Sequence, residues 1–157
     1  MQHTIFNNYP VVAMFTAWFI AQSLKLITFG IKEKRFDYGF VFRLGGMPSS
    51  HSASAAACMT AVGLTAGFDS PVFAIALGMT FLIVVDAQGV RRAAGQQARL
   101  LNQMAAEFYR DGKIAPKHLV EFLGHTRLEV VAGLVVGVAI ALFLKWRFPE
   151  WAAYTPQ

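Results

Sequence analysis

Apolar residues in this chain run in blocks rather than in narrow stripes. The first block covers 10–31 and is broken by Gln22, Ser23 and Lys25; the second, rich in Ala, Gly and Thr, covers 49–67; the third covers 71–86; the last covers 128–146. A helix needs about 20 residues to cross the bilayer core, so blocks of this kind predict four transmembrane helices. A soluble bundle would instead show a polar face along each helix. Small residues in the second block let membrane helices approach closely. Between the second and third blocks, Gly67-Phe68-Asp69-Ser70-Pro71 reads as a tight connection with Pro near the start of the next helix.

The pattern changes at 89–110. Val90, Ala94, Gln97, Leu101, Met104 and Phe108 fall near helical spacing, with Arg91, Arg92 and Arg99 interspersed. That predicts an amphipathic helix lying on the membrane surface or capping the bundle. A short polar helix is expected at 116–123, and KEKRFDYGFVFRLGG at 32–46 reads as an interfacial loop. The expected architecture is one all-α integral membrane domain over 1–157: four transmembrane helices and one or two amphipathic or short ones.

Composition agrees. At 55% hydrophobic and 15% charged over 157 residues, the chain is too apolar for disorder and long enough for one domain. The polar MQHTIFNN ahead of the first block lacks the basic region of a signal peptide, and no small-residue cleavage site follows, so that block reads as a retained helix. A single cysteine, Cys58, excludes a disulfide framework and a multi-cysteine zinc site; its setting, AAACMTAVG, reads as packing.

The net charge of +5 raises the question of nucleic acid, and its distribution answers it. Four spans place 32–48 and 87–127 on one side of the membrane. That side carries eleven of the 14 basic residues: Lys32, Lys34, Arg35, Arg43, Arg91, Arg92, Arg99, Arg110, Lys113, Lys117 and Arg127. The other holds Lys145 and Arg147. The positive-inside rule then puts the basic side in the cytoplasm and both termini outside, and no nucleic-acid partner is expected.

Three separate strings fall on the basic side: Gly45-Gly46-Met47-Pro48-Ser49-Ser50-His51-Ser52 opening the second span, Asp86-Ala87-Gln88-Gly89-Val90-Arg91-Arg92 closing the third, and Gly124-His125-Thr126-Arg127-Leu128-Glu129 opening the fourth. A helix N-terminus offers unpaired N–H groups and the positive end of a dipole, which attract anions such as phosphate. Glycine permits close backbone approach, and arginine offers a fork for phosphate oxygens. Two histidines suit metal-free phosphoryl transfer, one attacking phosphorus and one protonating the leaving oxygen. Glu129, four residues after His125, can hold its imidazole in one tautomer. The same residues have plainer readings. Ser49 or Ser50 is a natural N-cap, and Thr126 with Glu129 spells a capping box. Lys25 can snorkel to the basic face. Asp86 reads as a structural partner of Arg91 or Arg92. Without an HExxH string or a cysteine cluster, no metal and no cofactor are expected. Gly133 and Gly137 form a G-x-x-x-G pair that marks close helix packing and a face through which a second copy of the chain would associate.

PSSH at 48–51 followed by GHTRLE at 124–129 resembles the second and third signature motifs of the type 2 phosphatidic acid phosphatases, the superfamily that also holds bacterial acid phosphatases and vanadium haloperoxidases. The longer strings GGMPSSHSA, DAQGVRRAAGQQA and LGHTRLEVVAG are similar to its divergent branch, small membrane proteins described as acid phosphatase/vanadium-dependent haloperoxidase-related. The resemblance implies that His125 becomes phosphorylated, that Glu129 supports it where Asp is usual, that His51 is the proton donor, and that Ser49, Ser50 and Gly46 bind phosphate. The first motif, a Lys followed after six residues by Arg-Pro, is reduced here to Lys25 and Lys32 without Pro, and the Arg usual six residues before the third-motif His is Leu119. Arg91 and Arg92, on the same face, are the expected replacements. The implied function is a metal-independent phosphatase of the bacterial inner membrane acting on a lipid phosphate or diphosphate. A non-catalytic lipid-phosphate binder, transporter or assembly protein that keeps the anion site is the alternative.

Overall fold

A computed structural model describes residues 5–33, 46–108 and 126–152. A 3-10 turn, Ile5–Asn7, leads into α1, Tyr9–Glu33. There follow α2, Ser50–Ala66; α3, Pro71–Gln88; α4, Val90–Phe108; α5, Arg127–Arg147; and the single turn α6, Pro149–Ala152. Every element among the described residues is helical, as the pattern predicts. The short helix expected at 116–123 lies outside the described residues.

The helix α2 sits at the centre, packed against α1, α3 and α5, while α1 also touches α5. Side-chain size explains the arrangement. The buried positions of α2 are Ser, Ala, Thr and Gly throughout. Toward it α1 turns Tyr9, Ala13, Ala17, Ala21 and Lys25, a buried stripe at every fourth residue. From α5 come Gly133 and Gly137. A Cβ on Gly137 would overlap the Ala53 carbonyl oxygen and stand 2.9 Å from the Ala56 Cβ; one on Gly133 would overlap the Ser49 carbonyl oxygen. The glycine pair therefore packs helices as expected, but within one chain. Its expected use by a second copy is corrected, because α2 already occupies that face.

Two polar side chains lock this small-residue core. The Tyr9 hydroxyl donates to the Ala141 carbonyl at the end remote from Ser49, and the Thr80 hydroxyl of α3 donates to the Ala55 carbonyl of α2 at 3.2 Å. Ser70 caps α3 just ahead of Pro71, its oxygen accepting from the Phe73 N–H at 3.2 Å. Outward positions carry large apolar side chains, among them Phe19, Ile75, Phe81, Val135 and Phe143.

Three helices are long and apolar enough to cross a membrane: Tyr9–Ile31, Pro71–Gln88 and Arg127–Arg147. On that measure the expected count of four becomes three. The exception is α2, with 17 residues that include three serines and two threonines. It is enclosed by other helices, so it meets protein where a lipid-facing helix needs bulky apolar residues. The amphipathic helix appears as α4, packed on α3, with Leu100, Leu101 and Met104 exposed.

Candidate functional site

The first turn of α2 rests against the first turn of α5. The Ser49 backbone N–H donates to the Glu129 carbonyl at 2.9 Å. Ser49 caps α2, its hydroxyl oxygen accepting from the Ser52 N–H at 3.4 Å and from the Ser52 hydroxyl at 3.1 Å. Thr126 caps α5 in a full capping box: its hydroxyl accepts from the Glu129 N–H at 3.3 Å, and the Glu129 carboxylate accepts from the Thr126 N–H at 2.9 Å. A third element closes the corner. The Thr28 hydroxyl of α1 donates to the Met47 carbonyl at 2.9 Å, tying α1 to the turn that enters α2. Gly46 in that turn has φ 89, a conformation open to glycine at little cost.

Lys25 lies one turn before Thr28 and is 3% exposed. Its charge interacts with Glu129. Among the described residues no hydrogen bond to its ammonium is present. Each helix N-terminus carries roughly half a positive charge. Among the described residues, Lys25 and the N-termini of α2 and α5 thus outweigh the carboxylate of Glu129, itself partly spent on the cap. A buried ammonium in this surplus is costly until an anion joins it. The corner can therefore hold a tetrahedral oxyanion, with the Lys25 ammonium and first-turn N–H groups as donors.

The structure brings together Lys25, Ser49, Ser50, Gly46 and Glu129 from the sequence-derived set. Ser49, Ser50 and Ser52 are fully buried. The plainer readings of Ser49 as N-cap and of Thr126 with Glu129 as a capping box are both realised. Snorkelling of Lys25 is corrected: the side chain is sealed between helices. His125 lies outside the described residues, as do the side chains of Lys32, Arg91 and Arg92. In backbone position Lys32 belongs to the last turn of α1, and Arg91 and Arg92 to the first turn of α4, which follows Asp86 and α3 directly.

His51 lines a cavity of about 580 Å³ between α2 and α3, which Asp86 also lines. The joint presence of His51 and Asp86 on one cavity is invisible in the sequence, where they stand far apart. Cys58 was expected to pack; it is half-buried and lines the same cavity, together with Met14, Met59 and Met79. No periodicity in a single chain reports such a space, because its lining is drawn from α1, α2 and α3 together.

Residues 6–140 match the family model described as the Divergent PAP2 family. The chain belongs to that family. It is 36% identical over 155 residues to the "Uncharacterized membrane protein YuiD" of Bacillus subtilis (strain 168), an alignment covering 92% of this chain and 98% of that one. No solved structure shows significant similarity to it. The Divergent PAP2 match takes in every residue of the corner just described, from Lys25 on α1 to Glu129 on α5. In this member of the Divergent PAP2 family the matched segment is a helical membrane domain with a positively biased, buried corner at one end.

Proposed function

We propose that this member of the Divergent PAP2 family is a metal-independent membrane phosphatase that hydrolyses a lipid phosphate or diphosphate through a phosphohistidine. The observation that carries this reading is Lys25, a sealed ammonium at the meeting point of two helix N-termini. In the proposed reaction His125 attacks phosphorus in line and the bond to the leaving oxygen breaks, while His51 gives that oxygen its proton. Water, deprotonated by His51, then attacks the phosphohistidine and releases phosphate. Glu129 steadies His125. Lys25, Lys32, Arg91 and Arg92, with the N–H groups around Ser49 and Ser50, hold the charge that builds on the phosphoryl oxygens. The site faces the cytoplasm of a bacterial inner membrane, and the apolar helices beside it suit an acyl or prenyl tail.

The second reading is a protein that binds lipid phosphate without turning it over. The bond from the Thr126 N–H to the Glu129 carboxylate favours it, since that oxygen is occupied in the cap. Purified protein given a radiolabelled lipid phosphate in EDTA separates the two. The enzyme traps acid-labile label on His125 and releases phosphate, and His125→Ala and His51→Ala both abolish release. Lipid phosphate bound with no label on protein and no release would establish the binder instead.

A further inference from the structure

We infer that α4 lies in the membrane interface and seats on anionic phospholipid, a partner surface independent of the phosphatase chemistry proposed above. An amphipathic helix at 89–110 has two possible places, on the membrane surface or capping the bundle, and they differ in which side the protein covers. A cap turns its large apolar residues onto the bundle. In α4 the covered side is the small one: Gly95 is buried, and Ala98, Asn102 and Ala105 are half-buried. Leu100, Leu101 and Met104 are exposed instead. So are Gln96, Arg99 and Gln103.

Successive helical residues turn by about 100°, which sets these three groups roughly 120° apart around α4. The helix is therefore three-sided. One side of small residues meets the protein, a second is apolar and uncovered, and the third is polar and uncovered. A helix lying beside a bundle at the membrane boundary needs that division: one flank on protein, one in the acyl region and one in water. Gln97, also exposed, interrupts the apolar side one turn before Leu101, which keeps the helix near the headgroups and out of the hydrocarbon core. With three arginines and a glutamate in 19 residues, α4 is not among the helices apolar enough to cross.

The depth of α4 is set by α3. The 18 residues of α3 rise about 27 Å, close to the thickness of a hydrocarbon core of about 30 Å, so its two ends sit at the two boundaries. Gly89 alone separates α3 from α4. The first turn of α4 therefore stands at headgroup level, at the end of α3 whose Asp86 shares a cavity with His51. Charge then selects the lipid. Within α4, Arg91, Arg92 and Arg99 stand against Glu107 alone. Arg99 belongs to the exposed polar side, next to the apolar one around the helix. A basic side chain held near the surface favours acidic headgroups by about fivefold, whereas a zwitterionic lipid offers the same acyl region without that attraction.

The full-length protein in a Cys58→Ala background carries the fluorophore NBD on one introduced cysteine, Leu101→Cys, Met104→Cys, Gln96→Cys or Gln103→Cys. It is placed in vesicles of phosphatidylcholine and phosphatidylglycerol. Lipids spin-labelled high on the acyl chain are expected to quench the probes on Leu101→Cys and Met104→Cys, and aqueous iodide those on Gln96→Cys and Gln103→Cys. Trace spin-labelled phosphatidylglycerol is expected to quench the Met104→Cys probe more than spin-labelled phosphatidylcholine does, as an enrichment of about fivefold around one arginine demands. Arg99→Gln is expected to reduce that preference, and so is molar salt acting on the protein with Arg99 in place. Equal access of iodide to all four positions would put α4 in water and overturn the interfacial seat. Shielding of the apolar-side probes from both quenchers would overturn it too, since protein would then cover that side, a second copy of the chain if labelled copies quench one another. Equal quenching by the two spin-labelled lipids at low salt would overturn the anionic preference. None of these readouts depends on phosphate release, so they stand or fall apart from the phosphatase.

Discussion

A lysine with 3% exposure inside a helix that crosses the membrane carries a desolvation cost, and Glu129 is the carboxylate that offsets it. Function and stability then pull apart at this residue. Lys25→Met removes the proposed phosphate donor and a buried charge together, so on the proposed function kcat/KM for lipid phosphate is expected to fall about 10²- to 10³-fold. The melting temperature in detergent is expected to hold or rise, since an apolar side chain of similar length avoids the cost of the buried ion. Loss of both activity and stability would make Lys25 a structural residue. Glu129 is expected to be coupled to it. Glu129→Gln keeps an N3 side chain that serves a capping box but takes away the lysine's counter-charge. Alone it is expected to destabilise by about 1–3 kcal/mol, and in the Lys25→Met background by clearly less, giving a coupling in the range of about 0.5–3 kcal/mol for contacting groups. Thermal melts of the four proteins of that cycle check it; additive effects would remove the interaction from the account.

Among the elements, glycine separates protein-facing from lipid-facing helix surface. Gly137 meets the Ala53 carbonyl, whereas a Cβ on Gly78 of α3 would meet nothing within 4 Å. The same substitution is therefore expected to act with opposite signs. Gly137→Ala forces α5 away from α2 and costs about 1–3 kcal/mol, as overpacking does; Gly78→Ala gains up to about 1 kcal/mol from helix propensity. Thermal unfolding in one detergent compares them, and equal losses would mean that Gly78 faces protein. These surfaces also show how far the sequence could be read. Helix positions along α1, α3 and α5 were legible because lipid demands long apolar runs, and the caps at Ser49 and Thr126 because capping follows local residue type. The role of α2 was not: Ala and Ser at its buried positions suit either a weak span or a central helix, and the difference lies in which partners surround it. Nor was the cavity legible, since a space lined from α1, α2 and α3 belongs to their packing and to none of them alone.

For the molecule as a whole, orientation decides which leaflet the site serves. The end of α1 at Thr28, the start of α2 at Ser49, the end of α3 at Asp86 and the start of α5 at Glu129 gather at one end of the bundle, and Tyr9 meets Ala141 at the other. Both ends of the helical domain, at Tyr9 and Arg147, therefore share the face opposite the anion corner. The sequence reading expects segments 32–48 and 87–127, with eleven of the 14 basic residues, on the corner's side, and positive charge is favoured in the cytoplasm. By that rule the proposed site is expected to draw its ligand from the cytoplasmic leaflet. In a Cys58→Ala background, Gln103→Cys on exposed α4 is accordingly expected to resist a membrane-impermeant maleimide in intact cells and to react after lysis, while Thr155→Cys reacts from outside. The reverse pattern would turn the molecule over and give the site to the outer leaflet. Activity tests the same point independently of any label: sealed inside-out vesicles are expected to release phosphate from added lipid phosphate at once, and right-side-out vesicles only when detergent breaches them. Equal rates in the two would mean that lipid reaches the corner from both leaflets, and the expected orientation would then not decide which leaflet the site serves.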